Sequence, residues 1–380
     1  MSPLLKNILK KPPKAAVIAA KCLGYLLCVG ICCGGLLLIA LGNPGSGAKN
    51  QAQTTDHIVM DRYEKYITNA FSDTLAGILS IKKVYWLSDN DMVAPKPDPA
   101  CYGQTEDPKA LQPILDQAAD LIDGQNMVFS TDVKLRPKSV IRYYYDPTIL
   151  VITWQEQIDG SVYTMGEVKI ADASQFRRFL SNGQYSSGSK YLTSEMAKTV
   201  NAVLASNGDY YGVRQIGTVV YNGELLRMEG ANMDSCYIDD AGDLHFLRAG
   251  QITKRADMEQ YIADNHIRFS ISFGPILVEN GKTVPIKSNY CVGEVSKFNE
   301  RAALCQTDSL HYLLVFSNPN PNFQVLWKFA ERLQEMGAVQ AYNLDGGRSG
   351  TIVLDGERLN EVDERKLSDI IYFATAIGSE

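Results

Sequence analysis

The chain has 380 residues, of which 45% are hydrophobic, 21% charged and 9% aromatic. This composition is typical of folded globular proteins and excludes disordered chains, collagens and multi-span transporters. The formal net charge of -6 is unevenly distributed, because residues 1–41 hold five lysines and no acidic residue. Residues 42–380 therefore carry 32 basic and 43 acidic residues, a net charge of -11. Since nucleic acid is bound through a basic face, we expect no nucleic-acid partner.

An apolar segment near the N-terminus has the length of a membrane-spanning helix. Residues 22–41 carry no charge, and the apolar run extends back to Ala15 if Lys21 is tolerated. About 20 apolar residues span a bilayer as a helix. We therefore predict a transmembrane helix at residues 15–41. A cleaved signal peptide is the alternative, but the run is longer than a usual signal core and no A-x-A cleavage site follows it.

The flanking charges predict the orientation of this helix. Four lysines precede the segment, and one follows it closely: Lys6, Lys10, Lys11 and Lys14 before it, and Lys49 after it. An excess of lysine on one side of a membrane helix keeps that side in the cytoplasm, so we predict a cytoplasmic N-terminus. Residues 1–14 are then a cytoplasmic tip, and the remainder of the protein lies outside the cytoplasm, anchored to the cell membrane.

The cysteines predict no metal site. Four of the eight lie in the apolar segment, and the other four are Cys101, Cys236, Cys291 and Cys305. These four permit two disulfides in any of three connectivities, and the sequence does not choose among them. Zinc sites need closely spaced ligands. Because no C-x-x-C pair occurs and the four histidines are scattered, we predict no zinc site and assign no residue to a metal.

Residues 42–109 are predicted to be a linker followed by a helical stalk. Residues 42–53 are rich in Gly, Ser, Asn and Gln, a composition typical of flexible linkers. From Asp56 to Leu79, apolar residues recur every three to five positions, as in an amphipathic helix. A proline-rich break at residues 94–100 follows, and we place the main domain at residues 110–380.

Repeated turn signals in the main domain indicate antiparallel strands. Asn-Gly or Asp-Gly pairs supply the positive φ angles that tight hairpins need. They separate β-prone runs at residues 222–223, 280–281 and 355–356, and residues 240–243 (DAGD) mark a fourth turn. Four hairpins predict a largely antiparallel β body.

Two helical patterns interrupt the β body. A strand at residues 311–316, a helix capped by Asn322 and ended by Gly337, and a strand at residues 338–344 form a β-α-β crossover. A shorter helix is predicted at residues 193–204. The predicted fold class is α+β: a predominantly antiparallel or mixed β-sheet domain with packed helices, preceded by the transmembrane helix and the stalk.

Two glycine-rich polar loops are candidate functional segments. Residues 207–212 (NGDYYG) and 343–351 (NLDGGRSGT) each follow an apolar element and place a carboxylate among glycines. Glycines let a backbone approach a ligand, and a carboxylate can move a proton or stabilise positive charge. Each motif alone is more often a plain turn. Neither fits a Walker P-loop or G-x-S-x-G, which excludes those NTPases and serine hydrolases.

Two further segments lie between these loops. Residues 268–278 (RFSISFGPILV) are a β run interrupted at Gly274-Pro275, and residues 299–303 (NERAA) place Arg301 at the start of an apolar strand. Such an arginine is usually a surface residue. Its planar guanidinium is nevertheless the preferred clamp for phosphate or carboxylate.

In this order, NGDYYG, SFGPILVENG, NERAA and NLDGGRSGT resemble the phosphodiester glycosidase family over roughly residues 130–376. The family includes the lysosomal enzyme that uncovers mannose 6-phosphate and many bacterial envelope proteins loosely called exopolysaccharide biosynthesis proteins. The anchor and stalk also look like those of the bacterial members. The resemblance implies hydrolysis of a sugar-1-phosphodiester at the anomeric carbon, which releases a sugar and a phosphate monoester.

The family motifs fall on particular residues of this chain. The N-G-[DG]-[FY]-[FY] motif falls on residues 207–211 and the D-G-G-G-S-S-T motif on residues 345–351, where Arg348 replaces a glycine. The H-P-R-T-A segment falls on residues 299–303, so that Arg301 is kept and Asn299 replaces the histidine. If that histidine transfers a proton in relatives, this chain lacks or replaces that step.

The resemblance, with the chemistry of these side chains, predicts the roles of the site residues. Carboxylates stabilise the oxocarbenium-like state of glycosyl transfer or activate water. The predicted catalytic residues are Asp345 and Asp209; the predicted substrate-binding residues are Asn207 and Ser349 for the sugar, Arg301, Arg214 and Arg348 for the phosphate, and Gly346 and Gly347 at the close approach of the loop. No cofactor is expected. A calcium ion near the acidic loops stays open, but no D-x-D-x-D-G spacing requires one.

Two other functions stay open on the sequence. The first is a membrane-tethered, non-catalytic module that binds a glycan or an anionic polymer, with the fold kept and the family histidine lost at Asn299. The second is an assembly protein of exopolysaccharide or cell-wall biosynthesis that forms homo-oligomers through the stalk at residues 56–86. The predicted substrate of the enzyme is a phosphorylated glycan in the envelope or outside the cell.

Overall fold

The computed structural model describes residues 93–132, 140–209, 211–229, 233–291, 294–319 and 325–377. These residues belong to one compact unit, Asn69–Glu380. The predicted transmembrane helix at residues 15–41 and most of the predicted stalk lie outside the described residues, as does the predicted helix cap Asn322. Across the ranges that are described, none of the helices combines the length and the apolar character needed to cross a membrane.

Strands dominate the described part of the chain. They are β1 Tyr102–Thr105, β2 Ile141–Asp146, β3 Ile149–Ile158, β4 Ser161–Ile170, β5 Phe176–Leu180, β6 Leu204–Asn207, β7 Gly217–Tyr221, β8 Glu224–Glu229, β9 Ser235–Asp239, β10 Leu244–Leu247, β11 Ile267–Ile271, β12 Ile276–Glu279, β13 Lys282–Thr283, β14 Arg301–Asp308, β15 His311–Ser317, β16 Gln340–Leu344, β17 Ile352–Leu354, β18 Glu357–Arg358 and β19 Asp369–Phe373.

Within the described ranges, helices are few and short. They are α1 Gln112–Gln117, α2 Ala119–Ile122, α3 Thr193–Thr199, α4 Arg255–Asp264 and α5 Leu326–Glu335, with 3₁₀ turns at Pro99–Cys101, Pro108–Leu111, Ala173–Gln175, Ser181–Gly183 and Gly347–Ser349. The helix expected at residues 193–204 ends earlier, because residues 204–207 form a buried strand of a sheet instead.

The strands form four sheets. The largest has nine strands in the order β1-β2-β3-β4-β15-β14-β16-β12-β13, and a five-stranded sheet has the order β18-β17-β6-β19-β5. The smaller sheets are β10-β9-β11 and the hairpin β7-β8. Every strand pair in the described ranges is antiparallel, from β1 with β2 to β7 with β8. The predicted α+β class with predominantly antiparallel sheets is confirmed.

The predicted turns and crossover form as expected. Asn222-Gly223, Asn280-Gly281 and Asp355-Gly356 connect β7–β8, β12–β13 and β17–β18, and all six residues have positive φ. Residues 240–243 connect β9 to β10. Because β15 and β16 both pair antiparallel with β14, they run in the same direction, and α5 makes the predicted crossover between them. The Asp159-Gly160 turn between β3 and β4 was not predicted.

The nine-stranded sheet is buried on both faces. Alternate residues of β3 point to opposite sides, as in any strand: Ile149 and Val151 join one core cluster and Leu150 and Ile152 another. The first cluster also contains Leu204 and Phe373 of the five-stranded sheet together with residues of the three-stranded sheet. The second is covered by one face of α5, whose buried residues are Leu326, Phe329, Ala330 and Leu333.

The four cysteines outside the apolar segment differ in their burial. Cys101 is half-buried, Cys291 is exposed, and Cys236 and Cys305 are buried as free thiols. Cys236 belongs to the first core cluster and Cys305 to the second. These two side chains therefore behave as small apolar residues of the core.

The strand pairing brings the two glycine-rich loops to the same region. Asn207 ends β6 and pairs with Ile370 of β19. Leu344 ends β16 and pairs with Ala302 of β14. The loops that follow β6 and β16 emerge where the five-stranded and nine-stranded sheets meet, and this junction places their polar residues close together.

Packing of α5 on the sheet predicts a contrast between its two faces. Phe329 is fully buried, and its replacement in Phe329→Ala leaves a cavity that should lower the free energy of unfolding by about 3–5 kcal/mol. Glu331, on the exposed face of the same helix, serves as the control, and Glu331→Ala should change it by no more than about 0.5 kcal/mol. Urea denaturation of both variants measures this. Equal losses would contradict the packing.

Candidate active site

Asp345 is the carboxylate at the centre of the loop that follows β16. Its Oδ2 accepts a hydrogen bond of 2.7 Å from Ser349 Oγ and forms an ion pair with Arg365 Nη2. Burial raises the pKa of Asp345, while the Ser349 hydroxyl and the Arg365 charge act to lower it. The side chain keeps 18% of its surface exposed, so this carboxylate is desolvated but can still be reached from outside.

Arg365 connects the two functional groups of this loop. Its Nε donates to Ser349 Oγ at 2.6 Å while its Nη2 contacts Asp345. The Arg365 side chain is 39% exposed, so part of it faces solvent beside the carboxylate. Arg365 carries no signal in the sequence, because it lies in a polar segment after β18 that has no motif of its own.

Asn207 ties the two glycine-rich loops together. Its Nδ2 donates to the backbone oxygen of Asp345 at 3.0 Å. Its Oδ1 accepts from the backbone nitrogen of Thr351 at 3.4 Å and from Ser206 Oγ at 3.1 Å. Because these bonds hold both ends of the 345–351 loop, Asn207 fixes the position of Asp345 from the neighbouring sheet.

Asp209 lies beneath the site. Its side chain is only 1% exposed, and its Oδ2 accepts from the backbone nitrogen of Ser272 at 3.1 Å and lies 3.5 Å from Arg178 Nη2. The sequence predicts two catalytic aspartates, and the structure places them differently: Asp345 reaches the surface, whereas the Asp209 carboxylate is enclosed by protein.

A second buried acid, Asp369, shares the same arginine. Its Oδ2 accepts from Arg178 Nε at 2.8 Å and lies 2.7 Å from Arg178 Nη2. Burial, followed by the charge of Asp209, raises the pKa of Asp369, while the charge of Arg178 acts to lower it. Arg178 and Asp369 were not among the residues predicted from the sequence. Their signal was available, since both are charged residues at β-prone apolar runs, FRRFL and DIIYF.

Arg301 is buried and holds backbone. It is 3% exposed, and its Nη2 donates to the carbonyl oxygens of Glu294 at 3.1 Å and Lys297 at 2.6 Å. Burial lowers its pKa to about 10, against the opposing charges of Glu294 and Glu300. Its strand lies beside the Asp345 loop, but these bonds direct the guanidinium into the 294–297 segment.

The other two predicted phosphate-binding arginines lie on the surface. Arg348 is 61% exposed, with its Nε 3.1 Å from Asp363 Oδ2. Arg214 Nη1 lies 3.5 Å from the backbone oxygen of Cys291, and its charge helps to lower the pKa of Asp345. The structure therefore does not bring the three predicted arginines together around Asp345: Arg301 binds the 294–297 backbone and Arg348 contacts Asp363, while the charge of Arg214 acts on Asp345. The ion pair with Asp345 is made by Arg365.

Gly346 and Gly347 are required by close packing. A Cβ at Gly346 would lie 2.2 Å from the backbone oxygen of Glu300, and Gly347, with a φ of 54°, donates its N–H to the same oxygen at 3.3 Å. Any side chain at Gly346 would push the loop away from the segment that precedes β14. These glycines thus set the position of Asp345 and Ser349.

These groups surround a small open cleft with a cavity volume of about 10 Å³. Its lining residues come from both loops and from the segment before β19: Asn207, Gly208, Asp209, Val213, Asp345, Ser349, Arg365, Leu367 and Ser368. A carboxylate, a guanidinium and a hydroxyl converge here, a combination suited to stabilising charge in acid–base or glycosyl-transfer chemistry. Among the described residues, no cluster of His, Cys, Asp and Glu side chains could hold a metal ion.

Comparisons with known proteins agree with this geometry. Residues 200–374, which include both loops, Arg365 and Asp369, match the family model described as phosphodiester glycosidase. No curated protein matches the chain.

Two similar solved structures have low sequence identity to this chain. One is a hypothetical protein from Synechocystis, with a TM-score of 0.47, 16% identity, and coverage of 59% of this chain and 62% of that one. The other is the zebrafish N-acetylglucosamine-1-phosphodiester alpha-N-acetylglucosaminidase catalytic domain, auto-inhibited by its pro-peptide, with a TM-score of 0.48, 18% identity, and coverage of 67% and 92%. The chain thus spans less than two thirds of the Synechocystis protein.

The motifs quoted from the sequence lie within the residues that the family model matches. The resemblance predicted from the motifs is therefore confirmed, and residues 200–374 of this chain are similar to the phosphodiester glycosidase family.

Proposed function

We propose that this protein hydrolyses sugar-1-phosphodiesters, with Asp345 as the catalytic carboxylate. The observation that carries the proposal is the arrangement at the cleft: Asp345 is desolvated, partly exposed, and held by Ser349 and Arg365. The family match over residues 200–374 supports the reaction class.

Hydrolysis of a sugar-1-phosphodiester needs a carboxylate and a cation close to each other. Cleavage at the anomeric carbon passes through an oxocarbenium-like state, which an ionised carboxylate stabilises directly or by activating water. The departing phosphate is a good leaving group, so a strong general acid is less necessary. Asp345 supplies the negative charge, and the exposed surface of Arg365 supplies a donor for the phosphate oxygens.

The two aspartates have separate roles in this proposal. Asp345 contacts the substrate. Asp209, with its carboxylate enclosed and bound to the Ser272 backbone, supports the loop from below. Arg214, whose charge acts on Asp345, extends the positive field toward the departing phosphate. This local positive field offsets the net charge of -11 on residues 42–380, which would otherwise repel an anionic substrate.

We assign the protein to the extracytoplasmic face of a cell membrane, where it acts on envelope or extracellular glycans. The support is the sequence alone: the uncharged residues 22–41 and the lysines that precede them. The full chain should remain in the membrane fraction after washing with high salt and carbonate, and a variant lacking residues 15–41 should be released. Release of the full chain by salt would contradict the anchor.

A second function is favoured by one residue. Asn299 stands where the family motif has histidine, and its Nδ2 lies 3.3 Å from Glu294 Oε2. If that histidine is needed for turnover, the protein binds a glycan or anionic polymer without cleaving it. Assembly through the predicted stalk belongs to the same alternative.

The catalytic assignment is tested by one pair of matched variants. The full chain is incubated with a panel of sugar-1-phosphodiesters while free sugar is quantified. Asp345→Asn should reduce kcat by about 10²–10⁴-fold, because the amide carries no charge and transfers no proton. Asp363→Asn changes an aspartate whose side chain is 85% exposed and should retain wild-type activity.

The panel separates the two functions. Release of sugar that Asp345→Asn abolishes supports the enzyme. Release that survives in Asp345→Asn refutes the role of Asp345. Binding without release from any member, retained in Asp345→Asn, favours the binding module.

The raised pKa of Asp345 predicts a pH profile. Because burial makes this carboxyl hold its proton to a higher pH than an ordinary aspartate, near 3.9, kcat/KM should fall as the pH decreases through that raised pKa. Arg365→Met removes a charge that lowers the pKa and should move the acid limb to still higher pH. Arg348→Met should leave the limb in place. A shift to lower pH in Arg365→Met would contradict the assignment.

A further inference from the structure

Asp369 lies below the cleft and contacts the loop that carries Asn207 and Asp209. We propose that Asp369, paired with Arg178, is a positioning residue of the active site, which fixes Asp345 through Asn207. The inference rests on the proposed function, since it concerns the same site. Neither residue belongs to the motifs that identified the two loops.

Asp369 holds the Gly208–Asp209 backbone with its main chain and its side chain. Its Oδ2 accepts a hydrogen bond from the backbone N–H of Asp209 at 2.9 Å, and its backbone oxygen accepts a hydrogen bond from the backbone N–H of Gly208 at 3.3 Å. A Cβ at Gly208 would lie 2.5 Å from Asp369 Oδ2. The carboxylate therefore occupies the space that any side chain at residue 208 would need, and this contact explains the glycine in the NGDYYG motif.

The loop transmits this position to Asp345. Asn207 pairs with Ile370, the neighbour of Asp369, in the register of β6 and β19. The Asn207 side chain then bonds the backbone of Asp345 and of Thr351. A shift of Gly208 and Asp209 would move Asn207 and loosen both ends of the loop that carries the carboxylate.

Charge explains why Asp369 itself cannot move. Asp369 and Arg178 have no exposed side-chain surface, and Arg178 also donates to the backbone oxygen of Ser270 and lies over the ring of Tyr211 at 5.5 Å. Within the described structure, Asp369 Oδ1 is buried without a hydrogen-bond partner, so the carboxylate is oriented through Oδ2 alone. Because breaking a buried ion pair leaves an uncompensated charge, the pair has one stable arrangement.

The test uses the full chain and the phosphodiester that the wild type hydrolyses fastest. Asp369→Asn keeps the shape of the side chain and removes its charge, so kcat should fall by about 10²-fold, the effect of a small misplacement of a catalytic group. KM should change by less than about 3-fold. Arg178→Met should lower kcat by as much as Asp369→Asn does. Arg178→Lys, which keeps the positive charge, should retain part of the wild-type kcat.

Asp146→Asn is the control for a purely structural effect. Asp146 is a buried carboxylate whose partners Tyr144, Thr148 and Thr375 do not line the cleft. This variant should lower the melting temperature yet keep kcat within about 2-fold of the wild type when assayed well below that temperature. If Asp369→Asn behaves in the same way, Asp369 is only structural and the inference is overturned.

A double-mutant cycle tests the contact without relying on activity. Gly208→Ala should destabilise the wild type, because the new methyl group meets Asp369 Oδ2. In Asp369→Ala the same change should cost much less, since the carboxylate is gone. Equal effects of Gly208→Ala in both backgrounds would refute the contact.

These outcomes separate the two proposals. A wild type that hydrolyses no phosphodiester rejects the proposed function and, with it, the role of Asp369 in catalysis, even if the cycle confirms the contact. An active wild type with unchanged kcat in Asp369→Asn rejects the positioning role alone.

Discussion

One buried guanidinium, that of Arg178, balances two buried carboxylates, Asp209 and Asp369. Charges removed from water cost several kcal/mol each unless they are paired and hydrogen-bonded. This cluster of buried charges is therefore stable in only one geometry. Arg178 comes from β5, Asp369 from β19 and Asp209 from the loop after β6. This geometry places the first glycine-rich loop at the end of the five-stranded sheet, and the active-site loop depends on it through Asn207.

The cleft combines a rigid loop with functional atoms that solvent can reach. The loop from Asp345 to Thr351 is fixed from below by Asn207 and from the side by the close packing of Gly346 on Glu300. Its functional atoms, in contrast, are partly exposed, as the Asp345 and Arg365 side chains show. A preorganised carboxylate beside a solvent-accessible cation stabilises charge that develops on a substrate without rearranging. This arrangement would also let an acidic protein body accept the phosphate-bearing substrate that we propose.

The sequence predicted most of the fold because its signals are local. Asn-Gly and Asp-Gly pairs take positive φ readily, and the hairpins at residues 222–223, 280–281 and 355–356 formed as expected. A helix was expected between the strands at residues 311–316 and 338–344, and α5 forms there. The helix expected at residues 193–204 was too long, because the pairing of residues 204–207 with β17 and β19 overrode helical periodicity.

For function, the sequence by itself determined which family the chain resembles, since the order of its short motifs is that of one family, and it selected Asp345, Ser349 and Asn207 among residues that do meet at the cleft. Only the tertiary structure decided which charges serve the site. Arg365 lies beside Asp345, while Arg301 binds backbone and Arg348 faces Asp363. The reason is physical: a motif fixes local backbone, but the partner of a long charged side chain is set by packing between segments distant in sequence.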